Sequence, residues 1–463
     1  MNRKSIAALV ITALLVCAPF GFTKSIQAAD DTPHWTLEVQ SCMDSTDSNT
    51  EFITGDYNGD SIQDVYAIKK NGESGKTEIR IINGKDNYQS YLLETAIVLN
   101  NTDYNWDFKL ADYNNDGKLD LYAIYRNGAS GKTEVHILNG ADNYQSYLLS
   151  TTVNIGHTSD RTRYDFEVGD YNKDNVPDLY MINKKGADGK TEVHVFDGKD
   201  NFQTFLLQTT TTLHQTNGSW DFKLSNYNDD DKLDILAINR KGKNNTEIHV
   251  LNGADNFQSF TNQLETPLEK SDSNVEFSVK RDSKNRAPLF VIKRNGANNK
   301  TEIHKMSLTN EQEEKRQAVV DEALYWEGKI PYYLDSVIST QKLDKNISPA
   351  YMDCADFVSS VYYTVLDVKI GTWTGEQKNA GVEVDKSLAL KGDFSNLKKG
   401  DIIIFNFENP NNPDGEHVGM YIGNGKFIHE SGTNANSGNV KISNLDNNFY
   451  GQNIMTIRRI INE

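Results

Sequence analysis

The apolar positions along the chain divide it into three stretches with different periods. An apolar run extends from Ile6 to Phe20. Between about residue 50 and residue 308, short segments alternate apolar and polar residues, as half-buried β-strands do. After Thr309 the apolar residues first recur at helical spacing and then return to short alternating segments. This pattern predicts an all-β region followed by an α+β domain in which helices precede an antiparallel sheet.

The middle stretch is built from a repeated unit. Four copies are similar, and a fifth, more divergent copy occupies residues 277–308. Each unit reads as four short strands joined by polar turns. A repeat of about 56 residues with four strands per unit predicts a propeller blade. The four similar copies align without gaps and begin with DYNGDSIQDVYAI (56–68), DYNNDGKLDLYAI (112–124), DYNKDNVPDLYMI (170–182) and NYNDDDKLDILAI (226–238).

The two ends of the repeat region complement each other. The fifth copy ends after three strands, at Leu308, whereas a single strand, HWTLEVQSC (34–42), precedes the first copy. We expect this strand to complete the fifth unit and so to close a five-bladed propeller. The predicted domains are a signal peptide at 1–29, the propeller at 30–308 and an α+β domain at 309–463.

The start of the chain and its charge predict where the protein works. Arg3 and Lys4 precede the apolar run, and small residues follow near Ala28 and Ala29, so we expect a secretory signal peptide and a secreted protein. No later segment is long and apolar enough for a transmembrane helix. The formal net charge of −17 argues against nucleic acid as a partner and suits divalent cations.

Each full repeat carries a loop rich in side-chain oxygen atoms. Such oxygens at loop positions 1, 3, 5 and 9 are typical calcium ligands, although Asp and Asn also form turns without a metal. Their recurrence in four copies favours calcium. The spacing resembles the FG-GAP, or integrin-type, propeller repeat, whose loops bind calcium. The candidate ligands are Asp56, Asn58, Asp60 and Asp64, then Asp112, Asn114, Asp116 and Asp120, then Asp170, Asn172, Asp174 and Asp178, and finally Asn226, Asn228, Asp230 and Asp234.

The last stretch contains a candidate nucleophile and two candidate bases. Cys354 stands in the first turn of a predicted helix, whose positive end favours thiolate over thiol. His417 and His429 fall in two predicted strands joined by a tight turn, so they can be neighbours on one face of a hairpin. One histidine would take the proton of Cys354 while the other orients it. The alternative is a buried structural cysteine and two ordinary strand histidines.

The local sequence around these residues favours the catalytic interpretation. The segments DCADFV, LKKGDIIIF and HVGMYIGNGKFIHES resemble the NlpC-type cysteine peptidases, a papain-like family that cleaves the stem peptides of bacterial peptidoglycan. The resemblance implies that Cys354 is the nucleophile, His417 the base and His429 the orienting residue, and that catalysis needs no metal. It also implies that Tyr332 lines the oxyanion site or the substrate cleft, and that Asp353 contacts the amino end of the substrate.

Two functions of different classes follow from the sequence. The first is a secreted cell-wall cysteine endopeptidase that hydrolyses peptidoglycan stem peptides after D-glutamate, with the calcium-binding propeller for targeting. The second is a calcium-stabilised propeller that binds a cell-wall glycan or a surface protein, with a peptidase domain that is inactive or acts on another substrate. Aromatic residues repeated in each unit either stack on sugars or fill the blade core: Tyr88 and Tyr91, Tyr144 and Tyr147, Phe202 and Phe205, Phe257 and Phe260.

Overall fold

The computed structural model describes residues 33–228, 230–279, 288–309, 311–333, 340–347, 351–407, 416–432, 438–445 and 449–462. The predicted signal peptide, 1–29, lies outside these residues. In the part of the chain that is described, no helix has the length and apolar character needed to cross a membrane.

The N-terminal part is almost entirely β-structure. After β1 (His34–Asp44), each group of four consecutive strands forms one antiparallel sheet, so the described residues up to Glu265 contain four such sheets. The second strand of each sheet is buried along almost its whole length, whereas the third alternates buried and partly buried residues. The strands are β2 (Thr50–Gly55), β3 (Asp64–Lys69), β4 (Lys76–Ile82), β5 (Tyr91–Asn100), β6 (Trp106–Ala111), β7 (Asp120–Tyr125), β8 (Lys132–Leu138), β9 (Tyr147–Gly156), β10 (Tyr164–Gly169), β11 (Asp178–Asn183), β12 (Lys190–Phe196), β13 (Phe205–His214), β14 (Trp220–Ser225), β15 (Asp234–Asn239), β16 (Glu247–Leu251) and β17 (Phe260–Glu265).

A fifth sheet joins the two ends of this region. It contains β18 (Val275–Val279), β19 (Leu289–Lys293) and β20 (Lys300–Ser307), and β1 pairs antiparallel with β20. In this pairing Val39 lies opposite Ile303 and Glu38 opposite His304. The pairing is the one that the incomplete fifth repeat predicted.

A cation that recurs in every sheet connects that sheet to the next. The residue that follows the second strand of each sheet is Lys or Arg, and it pairs with an Asp or Glu of the first strand of the same sheet. Its cationic group also lies over a phenylalanine ring on the first strand of the next sheet, and the fifth cation reaches the first sheet. The ion pairs are Lys70–Glu51, Arg126–Asp107, Lys184–Asp165, Arg240–Asp221 and Arg294–Glu276, and the rings are Phe108, Phe166, Phe222, Phe277 and Phe52 in the same order.

The repeated aromatic residues divide into two classes. The first member of each pair, Tyr88, Tyr144, Phe202 and Phe257, is buried. Tyr147 and Phe205 are exposed, whereas Tyr91 and Phe260 are partly buried. The core interpretation therefore holds for the first residue of each pair, and the second residue remains available to a ligand in two of the units.

The C-terminal part has the predicted α+β order. The described helices pack against one face of a six-stranded antiparallel sheet, with a core that includes Val319, Val361, Ile404 and Met420. Two short elements, the helix Thr374–Gln377 and the strand Val382–Val384, were not predicted. The elements are α1 (Glu311–Tyr325), α2 (Cys354–Leu366), α3 (Thr374–Gln377), β21 (Val382–Val384), β22 (Ile402–Asn406), β23 (Glu416–Gly423), β24 (Lys426–Ser431), β25 (Asn439–Asn444) and β26 (Ile454–Arg459), in the sheet order β21-β26-β22-β23-β24-β25.

The contact between the fifth sheet and the first can be tested by substitution. We expect Arg294→Met to lower the free energy of unfolding by roughly 3–5 kcal/mol, because Glu276 keeps a largely buried charge without its partner. Arg80→Met is the matched control: Arg80 pairs with Glu94, but both side chains are about half exposed, so a loss of at most about 1 kcal/mol is expected. Urea unfolding followed by tryptophan fluorescence measures both, and equal losses would contradict the prediction.

Candidate active site

The position of Cys354 is set by a helix cap. Cys354 is the first residue of α2, and Asp353 precedes it as the N-cap. Oδ1 of Asp353 accepts hydrogen bonds from the backbone N–H groups of Ala355 and Asp356, both at 2.9 Å. Such a cap satisfies N–H groups that the helix leaves unpaired, so the helix begins at the cysteine. The start of α2 packs against β23, where the backbone N–H of Val418 faces the thiol of Cys354.

The two histidines are neighbours, as the predicted hairpin required. Nε2 of His417 on β23 lies 2.7 Å from Nδ1 of His429 on β24. The two strands pair through Met420 opposite Ile428 and Tyr421 opposite Phe427. Nδ1 of His417 takes part in no hydrogen bond among the described residues, so this nitrogen is left for another partner.

The cysteine approaches this histidine pair without bonding to it. Val418, whose N–H faces the thiol, is the residue next to His417. Within the described part of the chain no hydrogen bond joins Cys354 to His417. The structure therefore places Cys354 beside the strand that carries His417, and His417 beside His429.

Sequence reasoning missed the residues beyond His429. Nε2 of His429 lies 2.9 Å from Oγ of Ser443, a residue of β25, and the side chain of Ser443 faces the hydroxyl group of Tyr450. Ser443 lies opposite Phe427 in the ladder, so the register of β24 and β25 could have found it. Tyr450 lies outside the strands, and no sequence signal pointed to it.

Aromatic rings surround the two imidazoles. Phe405 lies opposite His417 in the ladder, and their ring centroids are 6.1 Å apart. The ring centroid of Phe427 is 4.6 Å from that of His429, and Tyr450 contacts His429 edge-on at 5.6 Å. These apolar surroundings disfavour a charge on either ring.

Both histidines are held in the neutral form. Burial, with a smaller effect of the Lys441 charge, lowers the pKa of His417 to about 4. Burial, the neighbouring His417 and Lys441 lower the pKa of His429 to about 2. At neutral pH the pair therefore carries one ring proton on each imidazole and no net charge.

The thiol is also neutral, which differs from the sequence-based expectation. Burial and the negative charge of Asp353 raise the pKa of Cys354 to about 12, although the backbone N–H of Val418 opposes the shift. The helix end alone favours thiolate, but the loss of water around the sulfur outweighs it. The resting site therefore combines a thiol with neutral imidazoles.

Of the two predicted substrate residues, Asp353 directly precedes Cys354 in the chain, and Tyr332 is bridged to Met352 close to the start of the helix. Tyr332 forms a parallel bridge with Met352, and its backbone N–H donates to the carbonyl of Gly438 at 3.1 Å. The segment around Tyr332 therefore lies between the start of α2 and the strand β25. Asp353 has a structural role as the helix cap, and its contact with substrate stays a prediction.

A buried carboxyl group near Asp353 was not predicted. Glu430 follows His429 on β24 and has no exposed surface. Neither of its side-chain oxygens has a hydrogen-bond partner among the described residues. Burial raises the pKa of Glu430 to about 8, and the charge of Asp353 acts in the same direction. Glu430 is therefore protonated at neutral pH.

The first of the predicted calcium loops brings its oxygens together around a backbone amide. The N–H of Asp60 faces Oδ1 of Asp56 at 3.1 Å and Oδ1 of Asn58 at 3.0 Å. The buried carboxylate of Asp64 accepts from the N–H groups of Tyr57 at 3.0 Å and Gly84 at 2.8 Å. The same arrangement recurs in the loops that begin at Asp112 and Asp170.

The fourth loop departs from this arrangement. Oδ1 of Asn226 is buried and has no hydrogen-bond partner among the described residues. Over all the described ranges, no group of three or more His, Cys, Asp or Glu side chains is placed to hold a metal ion. The oxygens that converge in the first three loops come from Asn side chains as well as from Asp side chains.

Two regions of the chain match known families. Residues 342–459 match the NlpC/P60 family, and residues 56–123 match the FG-GAP-like repeat. The chain therefore carries an NlpC/P60 domain after FG-GAP-like repeats.

Relatives of known name match the C-terminal region. A probable endopeptidase NlpC homolog of Haemophilus influenzae is 32% identical over 110 residues, which are 24% of this chain and 50% of that protein. The murein DD-endopeptidase MepS/murein LD-carboxypeptidase of Escherichia coli is 29% identical over 110 residues, again 24% and 50%. The chain thus spans half the length of these curated relatives. The peptidoglycan hydrolase RipB of Mycobacterium tuberculosis aligns with a TM-score of 0.24 and 24% identity, over 33% of this chain and 67% of RipB.

The neutral state of the thiol predicts how its reactivity depends on pH. With a pKa of about 12, the thiolate fraction of Cys354 rises tenfold per pH unit, so we expect its alkylation by iodoacetamide to rise about tenfold per unit from pH 7 to pH 10 without a plateau. Peptide-resolved mass spectrometry follows Cys354 and Cys42 separately. A plateau for Cys354 below pH 8 would show a preformed thiolate and contradict the prediction.

Proposed function

We propose that this chain, with its NlpC/P60 domain at residues 342–459, is a cysteine peptidase that hydrolyses the stem peptides of peptidoglycan. The observation that carries the proposal is the meeting of the start of α2, which bears Cys354, with the histidine pair of His417 and His429. A thiol, a base and an orienting group in this order are the elements of nucleophilic catalysis by cysteine. The names of the relatives support the cell wall as the target.

The reaction begins from a neutral site. Nδ1 of His417 takes the proton of the Cys354 thiol as the sulfur attacks the carbonyl carbon of the scissile amide. The backbone N–H at the start of α2 stabilises the oxyanion, and Tyr332 assists there. His417 then gives its proton to the leaving amine, and water releases the acyl group from the sulfur. His429 holds the imidazole of His417 in place through the 2.7 Å contact.

The bond after D-glutamate is the proposed cleavage site. Support comes from the resemblance of the segments around Cys354 and the two histidines to the NlpC-type peptidases. One relative is named a DD-endopeptidase and LD-carboxypeptidase, so cleavage at another bond of the stem or cross-link is the outcome that would correct this choice. Export by a signal peptide at 1–29 is part of the same proposal, because peptidoglycan lies outside the cell membrane.

The five sheets form, in this proposal, a closed five-bladed propeller that targets the enzyme. The first strands of successive sheets contact each other, β18 contacts β2, and the cation of the fifth sheet lies over Phe52 of the first. The N–H of Phe52 also donates to Glu276 of the fifth sheet, and β1 supplies the last strand. These contacts all favour a ring over an open row of sheets.

The first three loops of the repeats are proposed to bind calcium. Their side-chain oxygens are of the kind that calcium prefers, and in each loop two of them converge on one backbone N–H. Neighbouring carboxylates raise the pKa of Asp178, which burial already raises, to about 6. A bound cation would relieve this repulsion and stiffen the loop. The fourth loop, with Asn226 in place of Asp, is the weakest candidate.

A second function is favoured by the exposed aromatic residues. Tyr147 is 44% exposed and Phe205 38%, and both begin the fourth strand of their sheets. Exposed rings at equivalent positions suit stacking on sugar rings. In this alternative the propeller binds a cell-wall glycan or a surface protein, and the peptidase domain is inactive or acts on another substrate.

Digestion of purified peptidoglycan tests the enzyme. We expect the full chain to release soluble peptides, and Cys354→Ala to lower the rate by roughly a thousandfold or more because the nucleophile is lost. Cys42→Ala is the matched control and should keep the rate, since Cys42 lies in β1. Mass spectrometry of the products identifies the bond. Equal release by wild type and Cys354→Ala would refute the enzyme and leave the binding module.

Thermal unfolding tests calcium. We expect millimolar calcium to raise the melting temperature by several degrees, because a ligand that binds only the folded state stabilises it. Magnesium should do less, since it keeps its water shell. Asp56→Ala, Asp112→Ala and Asp170→Ala together should remove the calcium effect, whereas Asp103→Ala, outside the candidate ligands, should preserve it. An unchanged melting temperature in calcium and EGTA would exclude the proposal.

A further inference from the structure

Two side chains continue the hydrogen-bonded pair of histidines away from Cys354. His417 contacts His429 at 2.7 Å, His429 contacts Ser443 at 2.9 Å, and the side chain of Ser443 faces the hydroxyl of Tyr450. None of these groups beyond His429 belongs to the predicted catalytic trio. We propose that Ser443 and Tyr450 are positioning residues that fix the tautomers of His417 and His429, so that Nδ1 of His417 is free of a proton and faces Cys354. This inference rests on the proposed function.

The chain of contacts allows only two directions of donation. In the first, Nε2–H of His417 donates to Nδ1 of His429, and Nε2–H of His429 donates to Oγ of Ser443. In the second, every donor is reversed, and Nδ1 of His417 carries the proton. Each neutral imidazole has one N–H and one acceptor nitrogen, so the two rings must switch together. Only the first direction leaves His417 able to accept the thiol proton.

Ser443 and Tyr450 favour the first direction together. A serine hydroxyl has one hydrogen to donate. In this proposal that hydrogen goes to the oxygen of Tyr450, so Ser443 can only accept from His429, and the active tautomers follow. The other end of the chain is compatible with this direction, because transfer of the thiol proton of Cys354 needs an acceptor nitrogen at Nδ1 of His417. The enclosure of His429 by Phe427 and Tyr450 makes an unpaired N–H there costly.

The positions of these residues explain how the arrangement is held. Ser443 lies opposite Phe427 on β25, one strand beyond His429, so the backbone ladder fixes its distance from the imidazole. The ring of Tyr450 packs against Phe427 with centroids 4.8 Å apart and against Phe405 at 5.4 Å. The hydroxyl is therefore delivered to Ser443 by an aromatic cluster that is also part of the surroundings of both histidines.

Three substitutions separate a tautomer effect from a packing effect. Tyr450→Phe keeps the ring and removes the hydroxyl, Ser443→Ala removes the link, and Ser443→Thr retains a hydroxyl at the same position. Tyr421→Phe is the matched control, because the Tyr421 hydroxyl accepts a hydrogen bond from the N–H of Gly425 and belongs to the same apolar cluster, yet lies outside the chain of contacts. We expect Tyr450→Phe and Ser443→Ala to lower kcat about 10- to 100-fold with KM nearly unchanged, and Ser443→Thr and Tyr421→Phe to stay within about threefold of wild type.

NMR reads out the tautomers of the two histidines directly and needs no substrate. In the full chain labelled with ¹⁵N-histidine, long-range proton–nitrogen NMR spectra identify the protonated nitrogen of each ring. The wild type should show His417 and His429 both protonated at Nε2, and Tyr450→Phe should shift both towards Nδ1–H. Wild-type rings protonated at Nδ1, or a tautomer unchanged in both Tyr450→Phe and Ser443→Ala, would overturn the inference. If the wild type shows the expected tautomers but releases no peptides, the proposed function fails and the tautomer assignment stands.

Discussion

A buried cation at the end of the second strand of each repeat holds two neighbouring sheets at once. It pairs with a carboxylate of its own sheet and lies over a phenylalanine ring of the next, and in the fifth repeat Arg294 reaches Phe52 of the first. Moving the sheets apart would take the cation off the ring of the next sheet and open its ion pair to water, so this contact couples the two sheets. The same constraint operates five times among the described residues, so the N-terminal part is best understood as one cooperative unit made of similar pieces.

The C-terminal site follows a different principle, because its thiol and its two imidazoles are held in their uncharged forms. The cap at Asp353 begins a helix at Cys354, and a hairpin brings His417 to His429, where aromatic rings surround a buried His429 and a partly buried His417. The thiol and the rings are neutral at rest. The site therefore keeps its proton on sulfur until a substrate arrives, and the hydrogen bonds behind His417 decide which nitrogen receives it.

Local pattern and repetition were enough to predict much of this fold. The four aligned repeats gave the strands, the missing strand of the fifth copy gave the pairing of β1 with β20, and the turn after β23 placed His417 beside His429. What the sequence could not reveal depends on contacts between distant segments. Burial raises the pKa of Cys354 against the effect of the helix end, and Ser443, Tyr450 and Glu430 meet the site only through sheet register and packing.

The pairing of β1 with β20 has a consequence for the order of folding. Lys300 and Asp44, which meet at one end of that pair, are 256 residues apart in the chain. The strand β1 must wait, with its edge open, until β20, the last strand of the repeats, has been made. Contacts of such long range form late and slowly, and an open edge can pair with the wrong chain in the meantime. The edge of β1 is thus the place where this region is most open to mispairing before its sheet is complete.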